Sequence, residues 1–387
     1  MALVFGFSLA LLLAVLVSSL AQRSVISTAV LFLAAGFVGG AFGWVDVENE
    51  GIRVVSELAL FSVLFTDGMR SGVRDLAQAW RLPGRALLFG LPLTLLGTAL
   101  LAHWVAGLPW PESFLLGAVL SPTDPVFAAA IVGREEVSPR LRNLLNVESG
   151  VNDGLVLPVI VVLVALVGAE TEIAPAFLEL GEGIVLGIAV PFAAIALERT
   201  RFFAASPVYE PLNGFAIGLL TYAAASLVHA NIFLAAFAAG VTLASRAPAT
   251  RDTFHGFGEL VSELLKLAAL FVFGTLISPT FLSEIGWTGY VFALLALVIV
   301  RPIALSIALV GGGLDRTELA AAAWFGPKGF ASVVYGLFLL TTPFALVDEV
   351  FHLVAIVTAA SMIAHSSTDV LVARLFREER EEEASAS

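Results

Sequence analysis

The chain contains no cysteine, so disulfides and thiolate metal sites are closed to it, although that absence selects no compartment. Charge is scarce: Asp, Glu, Lys and Arg make up 13% of the 387 residues, against roughly 25% in ordinary soluble domains. The five histidines are scattered with no paired spacing, which leaves no imidazole metal centre. No nucleophile–base pair and no cofactor motif appears, so an enzyme reading has little to stand on and no cofactor is expected. A net charge of −12 offers nothing to a nucleic acid. What is abundant is apolar surface: 59% of residues are hydrophobic and the mean hydropathy is +0.96. Apolar windows of about 20 residues, the length a bilayer requires, recur nearly end to end. A β-barrel would need short alternating segments, and these runs are continuous. The chain therefore reads as an all-α polytopic membrane protein.

The runs predict thirteen spans, at about 3–21, 24–43, 54–70, 85–106, 112–132, 142–167, 177–197, 211–228, 230–246, 255–278, 286–311, 317–340 and 347–374. VSSLAQ (17–22) offers small residues for signal-peptide cleavage, but no positive segment precedes the first span, so it is read as a true span. With the N-terminus outside, the inside segments hold Arg23, Arg70, Arg74, Arg81, Arg85, Arg134, Arg140, Arg142, Arg199, Arg201, Arg246, Arg251, Arg316, Arg374, Arg377 and Arg380. That satisfies the positive-inside rule and predicts a cytoplasmic C-terminus in the plasma membrane. Arg53 alone falls in an outside loop, beside VDVENE. The three other basic residues, Lys266, Arg301 and Lys328, fall within spans and need partners.

Two spans are interrupted. The fifth carries SPTDP (121–125), where Pro122 and Pro125 bracket Thr123 and Asp124; the twelfth carries GPKG (326–329) around Lys328. Proline removes a backbone donor and clashes with the preceding turn, so both helices should unwind. Unwound backbone at membrane depth is tolerated only under protein or beside a water-filled cavity. With spans one to six and eight to thirteen taken as units, each break lies in the fifth helix of its unit. Six crossings return the chain to its starting side and the seventh carries it over, so the repeat is inverted. Discontinuous helices at matching places of inverted halves point to a transporter's midplane site.

The stretch NVESGVNDGLVLP (146–158) sets the question of what its acids are for, since each costs several kcal/mol in such a setting. On span six, Glu148 and Asn152 share one helix face, and Ser149 and Asp153 share the adjoining one. Asp124 and Asp153, with the Ser149 hydroxyl, a Thr123 oxygen and water, make an all-oxygen site suited to Na⁺ or Li⁺. Glu148 with Arg301 reads as a structural clamp. Lys328 and Asp124 read equally as balances for exposed helix ends. That leaves Asp153 as the titrating, proton-coupling carboxylate, with Asn152 a neighbour that adds no second titrating proton. Glu57 and Asp67 on span three, and Glu259, Glu263 and Lys266 on span ten, are read as a wet funnel or helix contacts. Pro158 is read as a kink and His365 as a satisfied interior histidine.

SPTDP and NVESGVNDG (146–154), followed by FGPKGFASVVYG (325–336) and SMIAHSSTD (361–369), resemble the NhaP/NHE-type sodium/proton antiporters over nearly the whole membrane chain. The resemblance implies a mobile core at 83–168 and 285–376, and a dimerising scaffold at 1–82 and 205–284. It also implies a linker helix at 169–204 and a short acidic tail, 377–387, with no regulatory domain. By resemblance, Asp124, Asp153, Ser149 and Thr123 take the ion, Glu148 pairs with Arg301, and the Asn152–Asp153 pair belongs to electroneutral exchange. Lys328 stands where the family more usually has arginine. The expected activity is one-for-one exchange of Na⁺ (or Li⁺) for H⁺ by a homodimer. K⁺/H⁺ exchange is the alternative within the class; an ion channel or a non-transporting sensor lies outside it.

Overall fold

The computed structural model describes residues 1–21, 27–71, 81–124, 137–168, 173–200, 206 and 208–386. Pro125, Arg23, Arg74, Arg134, Arg201 and the second half of the fifth predicted span lie outside the described residues. Within them the chain is helical, with no strand. In order the helices are α1 (Ala2–Ala21), α2 (Thr28–Ala41), α3 (Asn49–Arg70), α4 (Arg81–Trp104), α5 (Trp110–Val119) and α6 (Pro139–Val167). Then follow α7 (Ile173–Glu198), α8 (Glu210–Leu227), α9 (Ile232–Arg246) and α10 (Pro248–Leu276). A short α11 (Pro279–Glu284) leads to α12 (Trp287–Ala308), α13 (Arg316–Trp324), α14 (Phe330–Leu340) and α15 (Val347–Ala386). Arg81–Trp104, Pro139–Val167, Ala174–Glu198, Trp287–Ala308 and Val347–Thr368 are each long and apolar enough to cross a membrane unaided. The others are shorter, broken, or carry more charge, as α3 and α10 do.

Local chemistry sets the boundaries. Ser27, Asn231 and Ser278 accept from backbone N–H groups in the first turns of α2, α9 and α11. Asp315 and Glu318 form a reciprocal capping box that starts α13. At Ala247 the chain turns through 117° between α9 and the first turns of α10. Both α4 and α12 contain one widened π-helical turn, at Ala86–Gly90 and Ala296–Val300, each two residues before a proline, Pro92 or Pro302. In α4 the Leu91 N–H reaches back to the Ala86 carbonyl, so the ladder gains a residue where proline would otherwise strain it.

Two packing groups emerge. The helices α3, α7, α8, α9 and α10 pack on one another, with α2 on α10. The helices α4, α5, α6, α12 and α13 form the other group, with α14 on α15; α3 and α10 meet α14, and α3 meets α6, at the boundary. Without a hydrophobic drive between helices in lipid, close approach of small residues supplies the attraction. Here α3 and α9 touch backbone to backbone: a Cβ on Gly68 would overlap the Phe237 carbonyl, and one on Gly240 the Phe65 carbonyl. Outward-facing Leu12, Leu178, Val185, Leu260, Val298 and Ile303 are exposed, a liability in water and an asset in a bilayer.

Gly68→Val should therefore force two backbones apart and cost about 1–3 kcal/mol or more. The melting temperature in detergent should fall well below wild type. Gly256→Ala, where nothing lies within 4 Å of the added carbon, should leave it unchanged or slightly raised.

Candidate ion-binding site

The two interrupted helices cross at their breaks. The helix α5 ends at Val119, and the chain runs unwound through Pro122, Thr123 and Asp124; α13 ends at Trp324, and residues 325–329 are non-helical before α14. The strips meet where the Asp124 N–H donates to the Pro327 carbonyl at 3.0 Å. Each break strands helix-end groups in a low dielectric, and each strip carries the charge that the other needs. The Lys328 ammonium donates to the carbonyls of Ser121 and Pro122 at 3.2 and 3.4 Å, at the C-terminal end of α5. One Asp124 carboxylate oxygen accepts the Phe330 N–H at 2.9 Å, at the N-terminus of α14. Cation at a C-terminus and anion at an N-terminus is the favourable sense of both helix dipoles. A Cβ at Gly329 would overlap the Asp124 side chain, so the crossing depends on glycine there. Below it, the Lys328 N–H donates to Ser361 Oγ at 2.7 Å, and His365 lies with one ring nitrogen against Ser361 and the other 3.0 Å from the Trp324 carbonyl.

The helix α6 lays its polar face against this crossing. Asn152 donates to Thr123 Oγ1 at 2.9 Å, and Thr123 Oγ1 lies 3.2 Å from Ser149 Oγ. Thr123, Asp124, Ser149, Asn152 and Asp153 are all buried. Tyr335 of α14 donates to the Asp153 backbone carbonyl at 2.9 Å and so fixes α6 against α14. Asp153 Oδ1 is buried with no hydrogen-bond partner among the described residues. In an apolar setting such an atom is costly unless something else occupies it. The donor set is oxygen throughout, the kind that holds hard monovalent cations.

Two residues that the sequence separated from the site belong to its surroundings. Asp67 of α3 is buried at the packing boundary, and its carboxyl and that of Asp153 act on each other electrostatically. Lys266 of α10 is buried, acts electrostatically on both carboxyls, and sits 5.2 Å from the centroid of the Phe330 ring. Lys266, read from the sequence as part of a wet funnel or a helix contact, thus stands as a cation near Asp153. Asp67 was read from the sequence as part of a wet funnel or a helix contact. Its neighbour Arg70 pairs with Glu259 of α10 at 3.0 Å, and Ser71 donates to the Gly150 carbonyl of α6 at 2.9 Å. Spacing along one helix cannot show which neighbour another helix brings. Gly68, the close-approach residue beside Asp67, was the available signal.

Glu148 and Arg301 meet as a two-pronged pair at 2.8 and 3.1 Å, both buried. Arg301 also donates to the Phe325 carbonyl at 3.3 Å, at the start of the second break. A Cβ at Gly326 would overlap the guanidinium. The pair joins α6, α12 and the unwound strip.

The family described as the transmembrane sodium/hydrogen exchangers matches residues 8–374 of the chain. Among curated proteins, the K(+)/H(+) antiporter NhaP2 of Shewanella baltica is 25% identical over 380 residues, covering 94% of this chain and 65% of that protein. The uncharacterized Na(+)/H(+) exchanger YjcE of Escherichia coli is 30% identical over 226 residues, 53% of this chain and 40% of that one. The chain therefore spans just under two thirds of the length of the NhaP2 relatives it matches. Among solved structures, the sodium proton antiporter MjNhaP1 of Methanocaldococcus jannaschii superposes with a TM-score of 0.79 at 20% identity, covering 96% of this chain and 99% of that chain.

Removing one partner of the Glu148–Arg301 pair leaves a buried charge alone, at a cost of about 3–5 kcal/mol. Glu148→Ala and Arg301→Ala should each lower the melting temperature sharply, and the double variant should recover part of the loss. Strictly additive losses in that cycle would show no coupling between them.

Proposed function

The chain belongs to the sodium/hydrogen exchanger family, and on that premise we propose that it is a secondary antiporter exchanging Na⁺ (or Li⁺) for H⁺, one for one. The observation that carries this reading is the buried Asp153, with an unpartnered oxygen, set among hydroxyl, amide and carboxyl groups where two broken helices cross. A bare carboxylate moved through a low-dielectric barrier is heavily penalised. Either a proton or a cation on Asp153 lifts that penalty. If the core moves only when loaded, two ions competing for one carboxylate become obligatory exchangers. Ser149, Thr123 and Asp124 supply the remaining oxygens for the cation. Asn152 holds Thr123 in place and adds no titrating proton, which keeps the exchange electroneutral. Lys328 and Asp124 balance the helix ends, and the Glu148–Arg301 clamp braces α6.

The moving parts follow the two packing groups. Residues 83–168 and 285–376 act as the core, 1–82 and 205–284 as the scaffold of a homodimer, and 169–204 as the linker. The Asp67–Asp153 interaction then lies between core and scaffold, where a cycle of alternating access must make and break it. Thirteen spans in inverted halves, with the N-terminus outside the plasma membrane and the C-terminus in the cytoplasm, complete the reading. The π turns of α4 and α12, each followed by a proline, support the repeat because these helices are fourth in their respective units.

A second reading, K⁺/H⁺ exchange, draws support from the NhaP2 relatives, which are named K(+)/H(+) antiporters. The site's oxygens hold K⁺ by the same chemistry. In proteoliposomes with an imposed pH gradient, addition of Na⁺, Li⁺ or K⁺ should dissipate the gradient, and the order of potency chooses between the two readings. Asp153→Asn should abolish this flux while the protein still folds and elutes as the wild type does; substantial flux in that variant would remove Asp153 from the mechanism. A membrane potential clamped with potassium and valinomycin should leave the Na⁺-driven rate unchanged. A voltage-dependent rate would rule out one-for-one exchange, and cation flux without an opposing proton flux would indicate a channel.

A further inference from the structure

An open cavity lies away from the ion site, where α4 and α6 begin and α12 ends. Its volume is about 610 Å³, and it is lined by Arg81, Arg85, Arg140, Asn143, Gly311 and Gly312, among others. Among the described residues no carboxylate forms an ion pair with any of the three arginines. Three like charges around one hollow repel one another, so the fold bears a cost that an anion would remove.

The arginines are also held in place. Arg85 Nη1 donates to the Val310 carbonyl at 2.9 Å, and Arg140 donates through Nη1 and Nη2 to the carbonyls of Gly313 and Gly312, both at 3.1 Å. The turn after α12 can offer these carbonyls because Gly311 and Gly313 adopt φ values of 73° and 74°, where other residues are strained. Fixing two guanidiniums on a glycine turn leaves Arg85 with N–H groups, and Arg81 with all of its own, unengaged among the described residues. The N-terminal turn of α6 adds the positive end of a helix dipole.

We propose that this cavity binds a phosphate group. A phosphate carries up to two charges and several acceptor oxygens in the geometry that guanidinium forks match. A carboxylate or halide brings a single charge and fewer acceptor oxygens to the three arginines. The cavity volume suits a phosphate with one or two substituents. Arg81 and Arg140 are exposed, and the cavity opens on the arginine-rich end of the bundle. The group can therefore come from a lipid headgroup in the adjoining leaflet or from a soluble phosphate compound. Either would tie α4, α6 and the turn before α13 together. The inference does not rest on the ion-exchange reading.

The test uses the full purified chain at low salt, because screening weakens such contacts. Arg81→Gln removes one charge without breaking an internal bond, and Arg53→Gln, which stands in a separate pair with Glu50, is the control. With a soluble source, pyrophosphate should bind in calorimetry and raise the melting temperature; Arg81→Gln should weaken it at least about tenfold, and Arg53→Gln should not. With a lipid source, phosphatidylglycerol should be retained from mixed phosphatidylcholine nanodiscs by wild type and lost by Arg81→Gln. Asn143→Ala should weaken whichever ligand binds. Failure of both probes, or binding indifferent to Arg81→Gln, would overturn the proposal.

Discussion

The crossing of two unwound strips is the constraint on which the rest of the structure depends. A backbone group without a partner in hydrocarbon costs several kcal/mol, and two broken helices strand several at once. The solution is reciprocal: Asp124, from one break, caps the start of the other helix, while Lys328, from the second, covers the carbonyl end of the first. Neither strip could be stable alone. Gly329 and Gly326 follow from this arrangement, because the capping carboxylate and the Arg301 guanidinium occupy the space that their side chains would need.

With the helix ends neutralised internally, the oxygens nearby are left for the cation that we propose binds there. Asn152, Thr123 and Ser149 form a short hydrogen-bonded chain between α6 and the first break. Asp153 stands at its end with an oxygen left over. A lone charge at the middle of a bilayer costs about 3 kcal/mol on insertion scales, enough to disfavour movement of an unloaded core more than a hundredfold. Lys266, reaching in from α10, softens the field around Asp67 and Asp153 without occupying the oxygen.

Much of this was legible in the chain. The break residues announced themselves through proline and glycine, and the faces of α6 followed from spacing of four. The family resemblance, carried by SPTDP and NVESGVNDG, agrees with the family that matches residues 8–374. What one-dimensional spacing could not supply was partnership across helices. Arg70 pairs with Glu259 of a distant helix, and Tyr335 anchors the Asp153 carbonyl from a helix nearly two hundred positions on. The count of crossings was hard for a different reason. Helices such as α3 and α10 carry several charges on faces that packing buries, so among the described residues length and apolarity alone pick out five spans.

The central claim is that one carboxylate serves cation and proton in turn, and binding of the cation across pH tests it most directly. Calorimetry on the purified chain, with Na⁺ and with K⁺, should show a dissociation constant that is flat at high pH. Below the pKa of the site it should rise about tenfold for each unit of acidification, because one proton must leave for each cation bound and a pH unit is worth about 1.36 kcal/mol. A constant indifferent to pH would contradict the shared carboxylate, and a hundredfold rise per unit would mean that two protons leave for each cation.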